Sequence, residues 1–386
     1  MYHAGVEFTL SQLRQQYYVP KGRREVRNVL GGCLTCVRLK ANPYIPVNSP
    51  ALPKFRVSED RIFTYVGCDF AGPLYCKPVD SKSAVKCYIL IYTCLVTRAI
   101  KLELVHKLTV TCFIFALRRI ISNRGAPKLI VSDNARTFHS VSKELAAILN
   151  PQVLQKFCLS NKIEWRFILP LAPWEGGVYE RLVRIVKNAL RSTLTKTLLG
   201  WEEISTTLAE IEICLNCRPI GYLNEDINSN KVLTPALLMY GNSNPLLPPL
   251  SLVTPEMLPR DTKFASRRMR YLDKIQNSFW SRWSSSYLQF LTDTHFNLRN
   301  RENSAQQMPK ENDIVLVKDP LKARYLWKMG RVSQVFKGRD GLIRSVEIKV
   351  CPPSNDKRFS ETIKRSPRMI VPLELNLQEN LANNED

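Results

Sequence analysis

Three acidic residues stand where carboxylates could act together. Asp69 closes an apolar, strand-like run, Asp133 follows a second such run directly, and Glu180 lies in the first turn of a periodic helical segment. An aspartate in such a place is, taken singly, more often a turn or cap residue. Three acids so placed in succession point instead to a shared site. Two divalent cations about 4 Å apart can activate a hydroxyl and stabilise a leaving oxygen in phosphoryl transfer. Hard oxygen ligands select Mg2+ or Mn2+ over zinc for that task. Arg184, Lys187 and Arg191 follow Glu180 at steps of four, three and four, so one acid and three bases share one edge of the helix. A solvated face laced with ion pairs would look the same; beside the acids, the bases read as a surface that grips phosphates.

The elements that must position these groups are legible around them. Residues 169–191 read LPLAPWEGGVYERLVRIVKNALR. Pro170 and Pro173 punctuate a loop, and Gly176-Gly177 give its far end the freedom to close over a substrate. The helix is expected to start after them, with Val178, Leu182, Ile185, Val186 and Leu190 as its buried stripe. Upstream, 62–70 reads as a strand ending at Cys68-Asp69-Phe70, before Ala71-Gly72-Pro73. Residues 85–96 are apolar and β-branched, as in a strand buried on both faces, and 98–105 alternate like a third strand of an antiparallel trio. A helix over 109–122, a strand over 128–132, a helix around 141–149 and a strand over 163–169 complete a mixed sheet covered by helices. Polar groups at strand ends in such sheets are the usual places for chemistry.

The chain has 386 residues, enough for two or three domains, and 56 Lys+Arg against 34 Asp+Glu give a formal charge of +22. That excess favours a polyanionic partner through release of counterions from phosphates. No apolar run is long enough to span a membrane, and no signal peptide is visible at the N-terminus. Eleven scattered cysteines fit reduced thiols in an intracellular compartment. One pair stands out: Cys33 and Cys36 form a C-x2-C knuckle, with His3 thirty positions upstream and two short helices expected between. Zinc takes four such ligands, so the set is one short, and two uncoordinated thiols are the alternative. The missing ligand would most naturally be a second histidine just before His3. His106, His139 and His295 read as ordinary polar residues.

Taken together, HAGV…LRQQYYVPKGRREVRNV…CLTC, VGCDFAGP, IVSDNARTF, IEWRFILPLAPWEGGVYERLVRIVK, LNCRPIGYL and LTPALLMYG resemble the integrases of retroelements, most closely those of the Bel/Pao group of long-terminal-repeat retrotransposons. The resemblance covers nearly the whole chain. It implies an α/β multidomain protein: a small helical zinc-binding region (1–45), an RNase H-like mixed-sheet catalytic core (55–225) and a C-terminal SH3-like β-barrel (311–373). By the same resemblance, Asp69, Asp133 and Glu180 become the D,D,E ligands of two Mg2+ or Mn2+ ions, and Lys187 a contact to the element's DNA end. His3, Cys33 and Cys36 become three of four Zn2+ ligands. Two departures matter. Asp133 and Glu180 are 47 positions apart, longer than the retroviral interval, and PWEGG replaces a motif that usually has a histidine before the glycines. Glu175 therefore competes for the third place; Glu180 is preferred because Glu175 precedes the glycine hinge and lies off the helix face.

Beyond the core, 201–217 reads as a helix with Ile204, Leu208, Ile211 and Leu215 buried, and its Cys214 and Cys217 as packing thiols. Residues 226–262 read as a connector. Residues 263–310 hold a helix, clearest over 263–291, with Leu272, Ile275, Phe279, Trp283 and Leu288 on one side and bases on the other. It could lie along DNA or act as a spacer. From 313 to 350 the pattern turns to short strands with a hairpin turn at Gly338-Arg339-Asp340-Gly341. Lys328, Arg331, Lys337, Arg339 and Arg344 would decorate them and bind DNA backbone. Residues 374–386 read as a disordered acidic tail.

The expected activity is that of a metal-dependent polynucleotidyl transferase with endonuclease action, trimming 3′ ends of element DNA and joining them to target DNA in the nucleus, as a homo-multimer. The alternatives are a DNA-binding remnant without catalysis and an RNase H-type nuclease, the latter disfavoured by the knuckle and the terminal strands. No protease or reverse transcriptase segment is read, so a processed product or a fragment of a polyprotein is expected.

Overall fold

The computed structural model describes residues 5–36, 53–78, 83–132, 151–168, 173–195, 197–222, 232–241, 263–301, 309–319, 327–339, 343–350 and 361–374. The chain divides into two compact units, Met1–Leu52 and Pro53–Asp386. In the first, α1 (Gly5–Arg14) and α2 (Gly22–Gly31) are the two short helices expected. Leu10 and Val26 are buried between them, and the pair Arg23–Glu7 ties their exposed sides.

The second unit is built on a mixed sheet of order β3-β2-β1-β4-β5. β1 (Tyr65–Lys77), β2 (Val85–Cys94) and β3 (Ile100–Val105) form the antiparallel trio. β4 (Leu129–Ser132) and β5 (Glu164–Phe167) add in parallel on the other side. β2 is buried along its last eight residues, which explains its unbroken apolar run. One face of the sheet packs on α3 (Val110–Arg124), started by the Thr109 side chain accepting from the Cys112 amide. It also meets α4 (Pro151–Ser160), a helix the sequence pattern did not single out; the one expected over 141–149 lies outside the described residues. The other face packs on α5 (Pro173–Leu194) and α6 (Trp201–Asn216).

Two boundaries differ from expectation. β1 does not end at Phe70; it runs on through a bulge between Ala71 and Leu74 to pair with β2 and with the short β6 (Leu199–Gly200). A bulge lets Pro73 sit in a strand without leaving a ladder bond unmade, and Gly72 at φ 137° adopts backbone few other residues can. α5 starts at Pro173 rather than after the glycines. Proline is favourable at the opening of a helix, and packing of the downstream stripe carries Gly176-Gly177 within it.

β3 is an edge strand, and α6 covers it. Buried Asn216 accepts from the Ile100 amide (2.8 Å) and donates to the Ile100 carbonyl (2.7 Å), while Glu212 accepts from the Leu102 amide (2.9 Å) and from Lys101 (3.1 Å). An edge so occupied cannot recruit a foreign strand. Asn216→Ala should cost about 2 kcal/mol or more, because both Ile100 groups lose their partner in the interior. A urea unfolding curve whose midpoint does not move would contradict this role. Cys214 and Cys217 are buried as expected of packing thiols.

The stretch read as a connector, 226–262, contains β8 (Val232–Leu233), which pairs with β7 (Gly221–Tyr222) at the end of the core, and α7 (Pro235–Tyr240), capped by Thr234 and Gly241. α8 (Lys263–Arg301) extends past the clearest part of its periodicity, and one of its faces is buried while bases such as Arg267, Arg270 and Lys274 stay exposed. Ile275, Phe279, Trp280, Trp283, Tyr287 and Leu291 are buried in the same hydrophobic core as α5 and α6.

The C-terminal strands β9 (Ile314–Val317), β10 (Met329–Lys337), β11 (Ile343–Val350), β12 (Thr362–Arg365) and β13 (Ile370–Pro372) form an antiparallel sheet of order β12-β11-β10-β9-β13. β10 and β11 make the expected hairpin, though residues 340–342 of its turn lie outside the described residues. Among the described residues the sheet is open: β12 and β13 stand at its two ends unpaired with each other, so a closed barrel is not shown. Glu374, expected to begin a disordered tail, is buried; residues 375–386 lie outside the described residues.

Candidate active site

Parallel pairing sets the site. Cys68 of β1, Ser132 of β4 and Phe167 of β5 share one register level, and β4 ends there. Asp69 is the next residue of β1, so it lies where the parallel half of the sheet stops although its own strand continues. The register of β4 is further pinned by Trp165 Nε1 donating to Ser132 Oγ (3.0 Å). Asp133 follows Ser132 in the chain and lies outside the described residues.

Side chains alternate along β1, so buried Cys68 faces the α3 side and Asp69 faces α5. There the Lys187 ammonium contacts Asp69 Oδ2, while Oδ1 accepts from the Phe70 amide (2.7 Å). The two partners are 21 and 22 % exposed, so the pair is reachable from solvent. Burial, with the Asp69 charge next to it, pushes the Cys68 thiol far up and keeps it neutral, so it is no nucleophile.

Glu180 sits on the same helix as Lys187, seven residues earlier, which is close to two full turns and about 10 Å along the axis. The two positions therefore share one side of α5, the side turned to Asp69. Glu175 also belongs to α5 and not to a preceding loop; five residues place it roughly 140° around the axis from Glu180. Of the two grounds for preferring Glu180, the hinge is removed, since Gly176-Gly177 lie within α5, and the helix face is the one that stays. Of the basic edge, Arg184 and Arg191 are exposed and Lys187 is half-buried against Asp69. Leu182, Val186 and Leu190 line the buried stripe as expected, joined by Val183 and Ala189.

A divalent cation fits what is visible here. Asp69 offers a hard oxygen donor that already holds a positive charge, half-open to solvent. Among the described residues no cluster of three metal-ligating side chains is complete. In the N-terminal unit, the Cys36 amide donates to Cys33 Sγ and lowers its thiol below the ordinary range, which suits a thiolate ligand. His3 lies outside the described residues. His106 is a structural group, stacked on Trp201 with ring centroids 3.5 Å apart. On the C-terminal sheet, Lys337, Arg339 and Arg344 are exposed, whereas Arg331 is half-buried and Lys328 is drawn toward Glu361 at 3.9 Å.

Residues 1–42 match the integrase zinc binding domain. Over those residues the chain is integrase-like. Residues 267–367 match a family of unknown function, DUF5641. Over 240 residues, 62 % of its length, the chain is 25 % identical to the Pro-Pol polyprotein of feline foamy virus, of which it spans only 18 %. Among solved structures it is similar to a chain of the simian T-cell lymphotropic virus intasome in complex with PP2A regulatory subunit B56 gamma: 15 % identity, 95 % of this chain and 96 % of that one, TM-score 0.33. It is also similar to the HTLV-2 integrase catalytic core domain in complex with magnesium: 21 % identity, 40 % and 88 % of the two chains, TM-score 0.26. Both overlays are loose. No helix among the described residues is long and apolar enough to cross a membrane.

Proposed function

We propose that this chain is the integrase of a Bel/Pao-type retrotransposon, trimming the 3′ ends of element DNA and joining them to target DNA. The observation that carries the reading is the contact between Asp69, at the parallel end of the sheet, and Lys187, on the helix that also bears Glu180. Asp69, Asp133 and Glu180 would hold two divalent cations, which supply activation of the attacking oxygen and stabilisation of the leaving one. The protein's own part is placement. Arg184 and Arg191 project from α5 into solvent, where they can grip phosphates on either side of the reacting bond. Lys187 is positioned to pass from Asp69 to a phosphate of the bound end. His3, Cys33 and Cys36 would hold Zn2+ in the N-terminal unit, work in the nucleus follows from the target, and two DNA ends call for a multimer.

The test is resealing of a branched DNA oligonucleotide by the full chain with Mg2+ or Mn2+, beside Asp133→Asn. Metal-dependent resealing that disappears in the variant is expected. Tight DNA binding without turnover in either metal would leave a remnant that binds and does not catalyse.

A further inference from the structure

Residues 267–367, which match a family of unknown function, and the residues just after them are joined to the core sheet by a buried charged cluster. Its four members come from four elements: Arg98 from the β2–β3 turn, Arg218 from the end of α6, Tyr287 from α8 and Glu374 from the residues after β13. Glu374 is 4 % exposed and Arg218 is 0 % exposed. Arg98 Nη1 donates to Glu374 Oε1, and Tyr287 OH donates to Oε2 at 2.8 Å, with Arg218 Nε 3.5 Å from the same oxygen. The remaining guanidinium donors of Arg218 reach the Leu215 carbonyl (3.0 Å) and the Arg98 carbonyl (2.9 Å). Arg98, whose carbonyl accepts that second bond, has φ 58°, a left-handed backbone uncommon for a non-glycine residue.

We infer that this cluster is a lock that fixes α8 and the C-terminal sheet onto the catalytic sheet, which makes Glu374 a positioning residue for the DNA-binding cations of that sheet. Two observations carry it beside the cluster itself. The hydrophobic core is continuous across the junction, with Leu316, Met329, Val371 and Leu373 of the C-terminal part in one cluster with Leu182, Val186 and Leu208 of the core. Trp327, just before β10, packs edge-on against Trp280, Trp283 and Tyr287. Apolar contact alone tolerates sliding, whereas a buried carboxylate finds its partners in one arrangement only. Burial by itself would raise the Glu374 pKa, but Arg98 and Arg218 bring it to about 2, so the carboxylate is charged at neutral pH. The segment is thus a fixed clamp and not a tethered domain.

The bearing on DNA rests on the function proposed above; the lock itself does not. The full chain, Glu374→Gln and Tyr287→Phe would be compared by amide hydrogen exchange. Glu374→Gln should speed exchange in β9 and β13 by about tenfold or more while β1 and β2 amides keep their rates. Tyr287→Phe should do the same to a smaller extent, and it carries the test if the first variant does not fold. Equal acceleration in all four strands, or none, would overturn the lock. The second readout is the salt dependence of duplex DNA binding, whose slope counts phosphates held at once. A shallower slope in Glu374→Gln supports positioning, and an unchanged slope overturns it. A wild-type chain with no salt-dependent binding would remove the proposed function, and the exchange rates would still decide the lock.

Discussion

Trp283→Ala should destabilise the Pro53–Asp386 unit by about 3–5 kcal/mol, the range for truncating a large aromatic in a packed core. Trp283 is 0 % exposed, and its ring meets Phe279, Trp280, Tyr287 and Trp327 with centroids 5.3 to 6.5 Å away. Those neighbours belong both to α8 and to the chain leading into β10, so little can collapse into the vacated space. The matched control is Met269→Ala, exposed on the same helix, which should stay within about 0.5 kcal/mol of wild type. Guanidinium unfolding of both would decide; similar midpoints would mean that α8 is loosely docked. The same packing has a practical consequence. A core cut off at residue 225 would lay bare apolar surface of α5 and α6 that α8 covers, so such a fragment should aggregate and assays belong on the full chain.

Much of the core sheet was legible because β2 and β4 are apolar runs and β3 alternates, and period separates them from α3 and α6. Legibility failed where tertiary context overrode local punctuation. Ala71-Gly72-Pro73 looks like a terminus, but a bulge carries β1 through it. Gly176-Gly177 looks like a loop, but the stripe after it, buried against the sheet, holds them in helix. The acids could be picked because Asp69 precedes Ala71-Gly72-Pro73 and Glu180 follows Gly176-Gly177, punctuation that mimics element ends; in the structure Asp69 lies within β1, paired with Lys187, and Glu180 within α5, two turns before that lysine. The Arg98–Arg218–Tyr287–Glu374 cluster could not be read at all. Its members are up to 276 positions apart, and nothing local marks Glu374 from the acids of the tail that follows.

Asp69→Asn should lower metal-dependent resealing by about 10³-fold or more, the scale at which loss of one preorganised electrostatic group at a reacting centre is felt. It should do so without unfolding the protein. Asparagine matches aspartate in size and keeps an oxygen for the Phe70 amide, and the lost pair with Lys187 is part-exposed, worth about 1 kcal/mol or less. A nearly unchanged melting temperature beside the lost activity would therefore locate the defect in chemistry. Lys187→Met separates the two partners. It leaves the Asp69 carboxylate in place but removes one phosphate contact, so DNA affinity should fall and the slope against salt should drop by about one. Activity at saturating DNA should fall far less than in Asp69→Asn. If Asp69→Asn instead reseals at the wild-type rate, Asp69 serves only to hold Lys187, and the catalytic reading of this site is lost with it.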